Sequence, residues 1–439
     1  MPERIGLREV IERLILIVAI ATLLLVAGML LARYNKFPYP LVNDAIKGAG
    51  AAAVQLGWIA DTDTGTEASD GERSSLETGV TRYDPALADE GFTLITAGSA
   101  EEAVLLDMNG RTVHRWQLPV SVLRERQENG NTLPDVSYSW RSFHMDPNGD
   151  LLVVLQGSKV TPYGRAIFKL NKDSELLWAN LDYAHHDVVV GEDGLIYTIS
   201  QEIRKTPIPE LESLDPPFLE DFVLVLSPDG ETVHRLSVMK GFSGTPFASA
   251  VQKLAKARDW KGDYFHVNAI EPYDSRNEIA VVRKNQVLIS VRNMDALATL
   301  DLGSGKIVWL WRGSWHRQHD PDFTNGRIML FDNRGDFSRG SRSRVLEFDP
   351  QSEGLTWQVG ANAQYDLYSG WGAGQQVLAN GNVLINESVP ARLLEVTRNG
   401  DVAWEFYGAL RDGSGKFAAP ILEARRYPAS YIDFQFGGG

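Results

Sequence analysis

The sequence predicts an all-β fold: a six-bladed β-propeller closed by its C-terminal strand, preceded by an N-terminal transmembrane helix. Three observations predict it. A turn followed by a strand ending in tryptophan recurs at Asp107–Trp116, Asn171–Trp178, Leu302–Trp311, Gln351–Trp357 and Arg398–Trp404. Ser227–Leu236 is one more copy, with leucine at its end. These six units lie roughly 45 to 75 residues apart, and each holds several short strand-like runs between Gly, Asn and Asp, the mark of a propeller rather than a sandwich. The third observation is an uncharged apolar run of 18 residues, Leu14–Leu31.

That run is as long as a membrane-crossing helix needs, about 17 residues. Arg4, Arg8 and Arg13 precede it, and Arg33 and Lys36 follow, a bias that sets the N-terminus in the cytoplasm. Residues 1–35 are thus expected to be an anchor in the inner membrane, with the rest on the periplasmic side. Residues 36–90 read as a linker with room for a short helix, because Asp61–Gly79 is rich in Thr, Ser, Gly and acidic side chains. Residues 91–439 are assigned to the propeller.

The expected blades are Gly91–Pro119, Trp140–Leu181, Asp182–Val238, Asp263–Gly313, His316–Gly360 and Tyr368–Gly408. The first is short of strands, and Ile421–Tyr427 is the spare strand expected to complete it and close the ring. Three insertions break the pattern: Lys205–Glu220, Phe247–Trp260 with helical spacing, and Asn333–Arg344 with four arginines.

A net charge of −14 argues against nucleic acid as a partner, and zero cysteines exclude disulfides, a thiol nucleophile and zinc–thiolate sites. Chemistry therefore falls to histidine. His144, His186 and His319 each precede a turn and a strand-like run, at similar blade positions. With His185, His266, His316 and Arg292 they form the candidate set for one pocket at the channel. His114 and His234 sit inside outer strands and read as packing residues. An imidazole can serve as nucleophile, acid or metal ligand. The arginine tilts the pocket towards an oxyanion and away from a cation.

Four short motifs, HHD at 185–187, HVN at 266–268, SVR at 290–292 and QHD at 318–320, resemble those of the bacterial arylsulfate sulfotransferases. The resemblance spans Gly91 to the C-terminus and rests on the order of the motifs across blades. It implies a six-bladed propeller working outside the cytoplasm. It also implies transfer of a sulfuryl group from an aryl sulfate donor to a phenolic acceptor through a sulfohistidine, without a nucleotide donor, cofactor or metal. By the same resemblance His319 is the nucleophile, His186 and His266 support it, and Arg292 is the arginine of the site. His185, His144, His316 and Trp371 are expected to line the substrate. This chain lacks the separate N-terminal β-domain and the cysteine pair of some members, and the sequence names no protein partner. The competing reading is a non-catalytic, membrane-anchored propeller acting as a scaffold or ligand-binding subunit.

Overall fold

The structure is a computed structural model that describes residues 16, 19, 20 and 22, then 78–98, 100–125, 133–257, 262–409 and 418–436. The chain divides into two compact units, Met1–Glu67 and Ala68–Gly439, and the fold described here is that of the second.

The second unit is six antiparallel sheets arranged as the blades of a propeller. The innermost strands are Ile421–Tyr427, Tyr138–Met145, Ala184–Val190, Val267–Pro272, His319–Thr324 and Gly374–Val377. Five sheets have four strands, and the sixth has five because Gly79–Tyr83 pairs with Val402–Tyr407 on its outer edge. The first described strand thus begins ahead of Gly91. Many inner and middle strands are buried along their length rather than on alternate residues, as in Phe218–Leu226, where every residue is buried, Glu220 and Asp221 included. A blade is covered by neighbours on both faces, so both sides of its strands are buried.

The tryptophan marks have a physical use. Trp116 Nε1 donates to the Gly149 carbonyl at 3.0 Å, Trp178 to Pro228 at 3.1 Å, Trp357 to Arg398 at 2.9 Å and Trp404 to Met108 at 2.9 Å. Each indole leaves its own outer strand and reaches the turn of the next blade. Trp116 and Trp404 are fully buried, so the bond also satisfies an N–H that would otherwise be orphaned.

Two expectations are corrected. Ile421–Tyr427 completes the first blade as expected by pairing with Phe92–Ala97, but it does not close a sheet: it is paired on one side only, and all six sheets are open. Its free edge faces the channel, where no strand is available to pair. The transmembrane helix is also withdrawn. Most of Leu14–Leu31 lies outside the described residues, and among the described residues no helix is long and apolar enough to cross a membrane. The membrane partner and the periplasmic, membrane-anchored location fall with it. The linker reading of 36–77 lies outside the described residues.

The insertions resolve differently. Ala248–Ala257 is a helix, and Ile208, Leu211 and Leu214 of the proline-rich stretch are buried. Asn333–Arg344 is mostly strand, with a short turn at Phe337–Arg339. Its arginines are engaged: Arg344 with Asp332 at 2.8 Å, Arg339 with Asp336 at 3.0 Å and Asp366, and Arg334 with the Gly370 carbonyl at 3.2 Å.

Candidate active site

In four consecutive blades the inner strand slips register at the same level. The slips follow Trp140, His185, Val267 and His319. The residues they skip are Arg141, then His186 with Asp187, then Asn268, then Asp320 with Pro321. A bulge of this kind bends the strand and re-aims side chains that strict alternation would send to the blade faces. Each bulge lies in the first half of its strand, so all four gather at one mouth of the channel. His186, His266 and Asp320 carry φ of 60°, 50° and 51°, a left-handed backbone that costs a non-glycine residue about 1–2 kcal/mol. Such strain clusters where function holds it.

His319 is buried, and its Nδ1 faces two oxygens: the Asn333 Oδ1 at 2.7 Å and the Arg317 carbonyl at 3.1 Å. A carbonyl oxygen only accepts, so Nδ1 carries the proton and Nε2 keeps its lone pair. Asn333 is itself fixed, because its Nδ2 donates to the Ser369 carbonyl at 2.9 Å and the Gly372 carbonyl at 2.7 Å. Burial, then the charges of Arg292 and Arg141, hold the His319 pKa well below the ordinary imidazole value, against the opposing hydrogen bond to Asn333. It is a neutral imidazole at pH 7.

His186 and His266 meet edge to face with ring centroids 4.9 Å apart. His185 stands beside His186, with the two Nδ1 atoms 2.7 Å apart, so one donates and the other accepts. Strict alternation allows only one of this pair on the channel side; the bulge and the positive φ of His186 bring both to the same cluster. His185 Nε2 lies 3.5 Å from Asp221 Oδ1. His266 Nδ1 donates to Asp263 Oδ2 at 2.6 Å, leaving Nε2 to take or return a proton. Burial alone would raise Asp263, but His266, Arg292 and His185 hold its carboxyl below the usual range. Burial, then the neighbouring His266, His185 and Arg141, set His186 well below the ordinary value. Tyr163 packs on all three of these rings, at 5.3, 5.5 and 5.8 Å from His185, His186 and His266, and burial pushes its phenol well above 10.

Arg292 follows the second strand of its blade in a short 3₁₀ turn, buried, with Nη1 donating to Asn293 Oδ1 at 3.0 Å. Its charge reaches His319, Asp263 and Tyr163. The structure thus brings His185, His186, His266, His319 and Arg292 together. It does not bring His144, which sits near the far end of its inner strand 3.5 Å from Asp146, nor His316, whose Nδ1 lies 3.0 Å from Asp295 and whose ring lies against Phe337. Trp371 lies on the loop before the sixth inner strand, half-buried, with its carbonyl accepting from Ser369 Oγ at 2.8 Å. Asp320 does not orient His319; it accepts from the Gln375 amide at 2.8 Å and pairs with Arg425 at 3.1 Å.

Sequence reasoning missed Asn333, Asp263, Tyr163 and Arg141. Asp263, three residues before His266, was the one with a local signal.

Deeper in the channel the lining turns acidic. Burial and Asp320 raise Asp322 to about 7; burial, with Asp320 and Asp187, raises Glu423 to about 8. Burial and Asp322 raise Glu271 well above the ordinary range. Arg425 lies among them, 3.4 Å from both Asp322 and Glu423. Glu271, Asp322 and Arg425 also line a cavity of roughly 430 Å³. Among the described residues no group of three or more His, Asp or Glu side chains is placed to hold a metal ion.

The sequence pattern of one family, described as Arylsulfotransferase (ASST), matches residues 143–409. No curated protein matches the chain. Among solved structures, a protein of unknown function from Bacteroides caccae is 12% identical, with 76% of this chain and 98% of that one covered and a TM-score of 0.47. A streptogramin B lyase is 11% identical over 76% of this chain and 83% of its own, with a TM-score of 0.41. The WD40 β-propeller domain of Doa1 is 10% identical over 77% and 80%, with a TM-score of 0.37. At such identities and scores these likenesses carry no functional argument.

Proposed function

The chain belongs to the arylsulfotransferase family, and on that premise we propose that it moves a sulfuryl group from a phenolic sulfate ester to a phenol through a sulfohistidine at His319 Nε2. The observation that carries this reading is the proton on His319 Nδ1, held by Asn333 and the Arg317 carbonyl, which leaves Nε2 as a neutral nucleophile. In the first half-reaction the Nε2 lone pair bonds to sulfur as the S–O bond breaks, and its electron pair leaves on the phenol oxygen. A proton from His266 Nε2 neutralises that oxygen. The imidazolium formed at His319 keeps its Nδ1 proton on the same two oxygens. In the second half the acceptor phenol gives its proton to His266 Nε2, its oxygen bonds to sulfur, and the N–S pair returns to His319. Arg292 holds the non-bridging oxygens throughout, as cationic groups do in phosphoryl transfer. His186, neutral and adjacent to His266, offers a further donor to the same oxygens. The two halves imply ping-pong kinetics.

The test is intact mass after brief exposure to 4-nitrophenyl sulfate without acceptor, followed by peptide mapping. One sulfuryl group on His319 is expected, and none on the His319→Gln protein. A label at another residue, or transfer that survives His319→Gln, overturns the assignment.

A further inference from the structure

We propose that Arg141, on the inner strand Tyr138–Met145, is a second guanidinium for the sulfuryl group. The proposal deepens the reading above and rests on it. Arg141 occupies the bulge of its inner strand, the place held by His186, Asn268 and Asp320 in the next three blades. The side chain is only 9% exposed, and its Nη1 is buried without a hydrogen-bond partner. A Cβ added to Gly372 would lie 3.6 Å from that Nη1. The Gly372 carbonyl also accepts from Asn333, the residue that orients His319. One short segment, Ser369–Ala373, therefore supports the nucleophile's partner and borders the free Nη1.

Among the described residues no carboxylate forms an ion pair with Arg141. The acidic groups that act on it from a distance are Asp187 and Glu423. Asp187 is taken up by the Val188 amide at 2.8 Å and the Ile270 amide at 3.0 Å. Glu423 faces Arg425 Nε at 3.4 Å. A buried guanidinium that makes no ion pair is costly unless a ligand supplies the anion. Its planar donors suit the oxygens of a sulfate ester, and its charge adds to that of Arg292 at His319.

The experiment uses the full chain carrying His319→Gln, which binds donor without transferring it, and measures 4-nitrophenyl sulfate binding by calorimetry. Adding Arg141→Gln should weaken binding at least tenfold, and Arg141→Lys should fall between. The thermal midpoint of the ligand-free protein should hold or rise with Arg141→Gln, because no internal ion pair is lost. Binding within twofold of the His319→Gln parent, no binding by that parent at all, or a lowered midpoint that accounts for the loss each overturns the proposal. Because this measurement needs no chemistry, its failure is separable from that of the sulfohistidine reading, which the mass experiment tests alone.

Discussion

Replacing Asp263 by asparagine separates the two half-reactions. The Asp263 carboxylate accepts the His266 Nδ1 proton at 2.6 Å and is held ionised in a buried setting by His266, Arg292 and His185. The amide is the same size, so the fold has little reason to change. Its Nδ2 becomes a donor to Nδ1, which moves the ring proton to Nε2, the atom that must accept a proton from the acceptor phenol. In a serine-protease triad the corresponding exchange costs ~10⁴ in kcat through the wrong tautomer. Loss of acid–base help is typically worth about 10²–10⁴-fold, or roughly 3–5 kcal/mol of barrier. The 4-nitrophenolate leaving group needs little protonation, so sulfuryl loading from 4-nitrophenyl sulfate should stay within about tenfold of the parent. Release to a phenol acceptor should slow by the full ~10²–10⁴ factor, and sulfuryl-enzyme should accumulate. Rapid quench with intact-mass detection reads both steps. Equal slowing of loading and release, or no slowing of release, refutes the role given to His266 and its carboxylate.

Four further outcomes follow from the structure. Because His319 and His186 titrate below the ordinary imidazole value, kcat/KM should hold as pH falls through about 6.5, with its acid limb lower; a limb at the ordinary value refutes a depressed nucleophile. The same two groups bind protons more readily unfolded than folded, so their effect on stability is a loss as pH drops below about 6.5, readable in denaturant midpoints. Glu423 shifts the other way, to about 8, so its charge burdens the fold increasingly between its unfolded value and that pH. Glu423→Gln should therefore gain on the parent by on the order of 4 kcal/mol from about pH 5 to about pH 8.5, and a constant difference across that range refutes the shift. Trp404→Ala should cost about 3–5 kcal/mol by thermal or urea unfolding, whereas Trp404→Phe, which keeps most of the packing but orphans the Met108 carbonyl, should cost about 1–3 kcal/mol.

The blades were legible because a propeller repeats itself: in four of the six blades the tryptophan that ends the outer strand is the residue that bonds to the next blade's turn, so there the motif and the contact are the same thing. His186, His266 and His319 were legible because they sit in short motifs on or just before the inner strands of consecutive blades, and Arg292 because its own motif ends a second strand. What escaped was whatever depends on a bulge or on distant chain. Arg141 and the His185–His186 pair face the channel only because the strand slips, and alternation gives the wrong side. Asn333 meets His319 across a hairpin 14 residues long, with nothing local to mark it. His144 and His316 share the approximate blade position of the others but lie off the level of the bulges, and turn or rim carboxylates take them instead. Arg339 and Arg344 pair with carboxylates spread from Asp332 to Asp366, a pairing invisible along the chain.

The order of the strands also fixes when a ribosome-bound chain can become competent. Ile421–Tyr427, which carries Glu423 and Arg425 into the channel, is the last strand described, yet it belongs to the sheet begun by Phe92–Ala97. During synthesis the first blade waits, one edge bare, until more than three hundred further residues have emerged. Nascent protein short of that strand has its histidines but an unfinished wall beside them, so the site is incomplete until Ile421–Tyr427 has emerged.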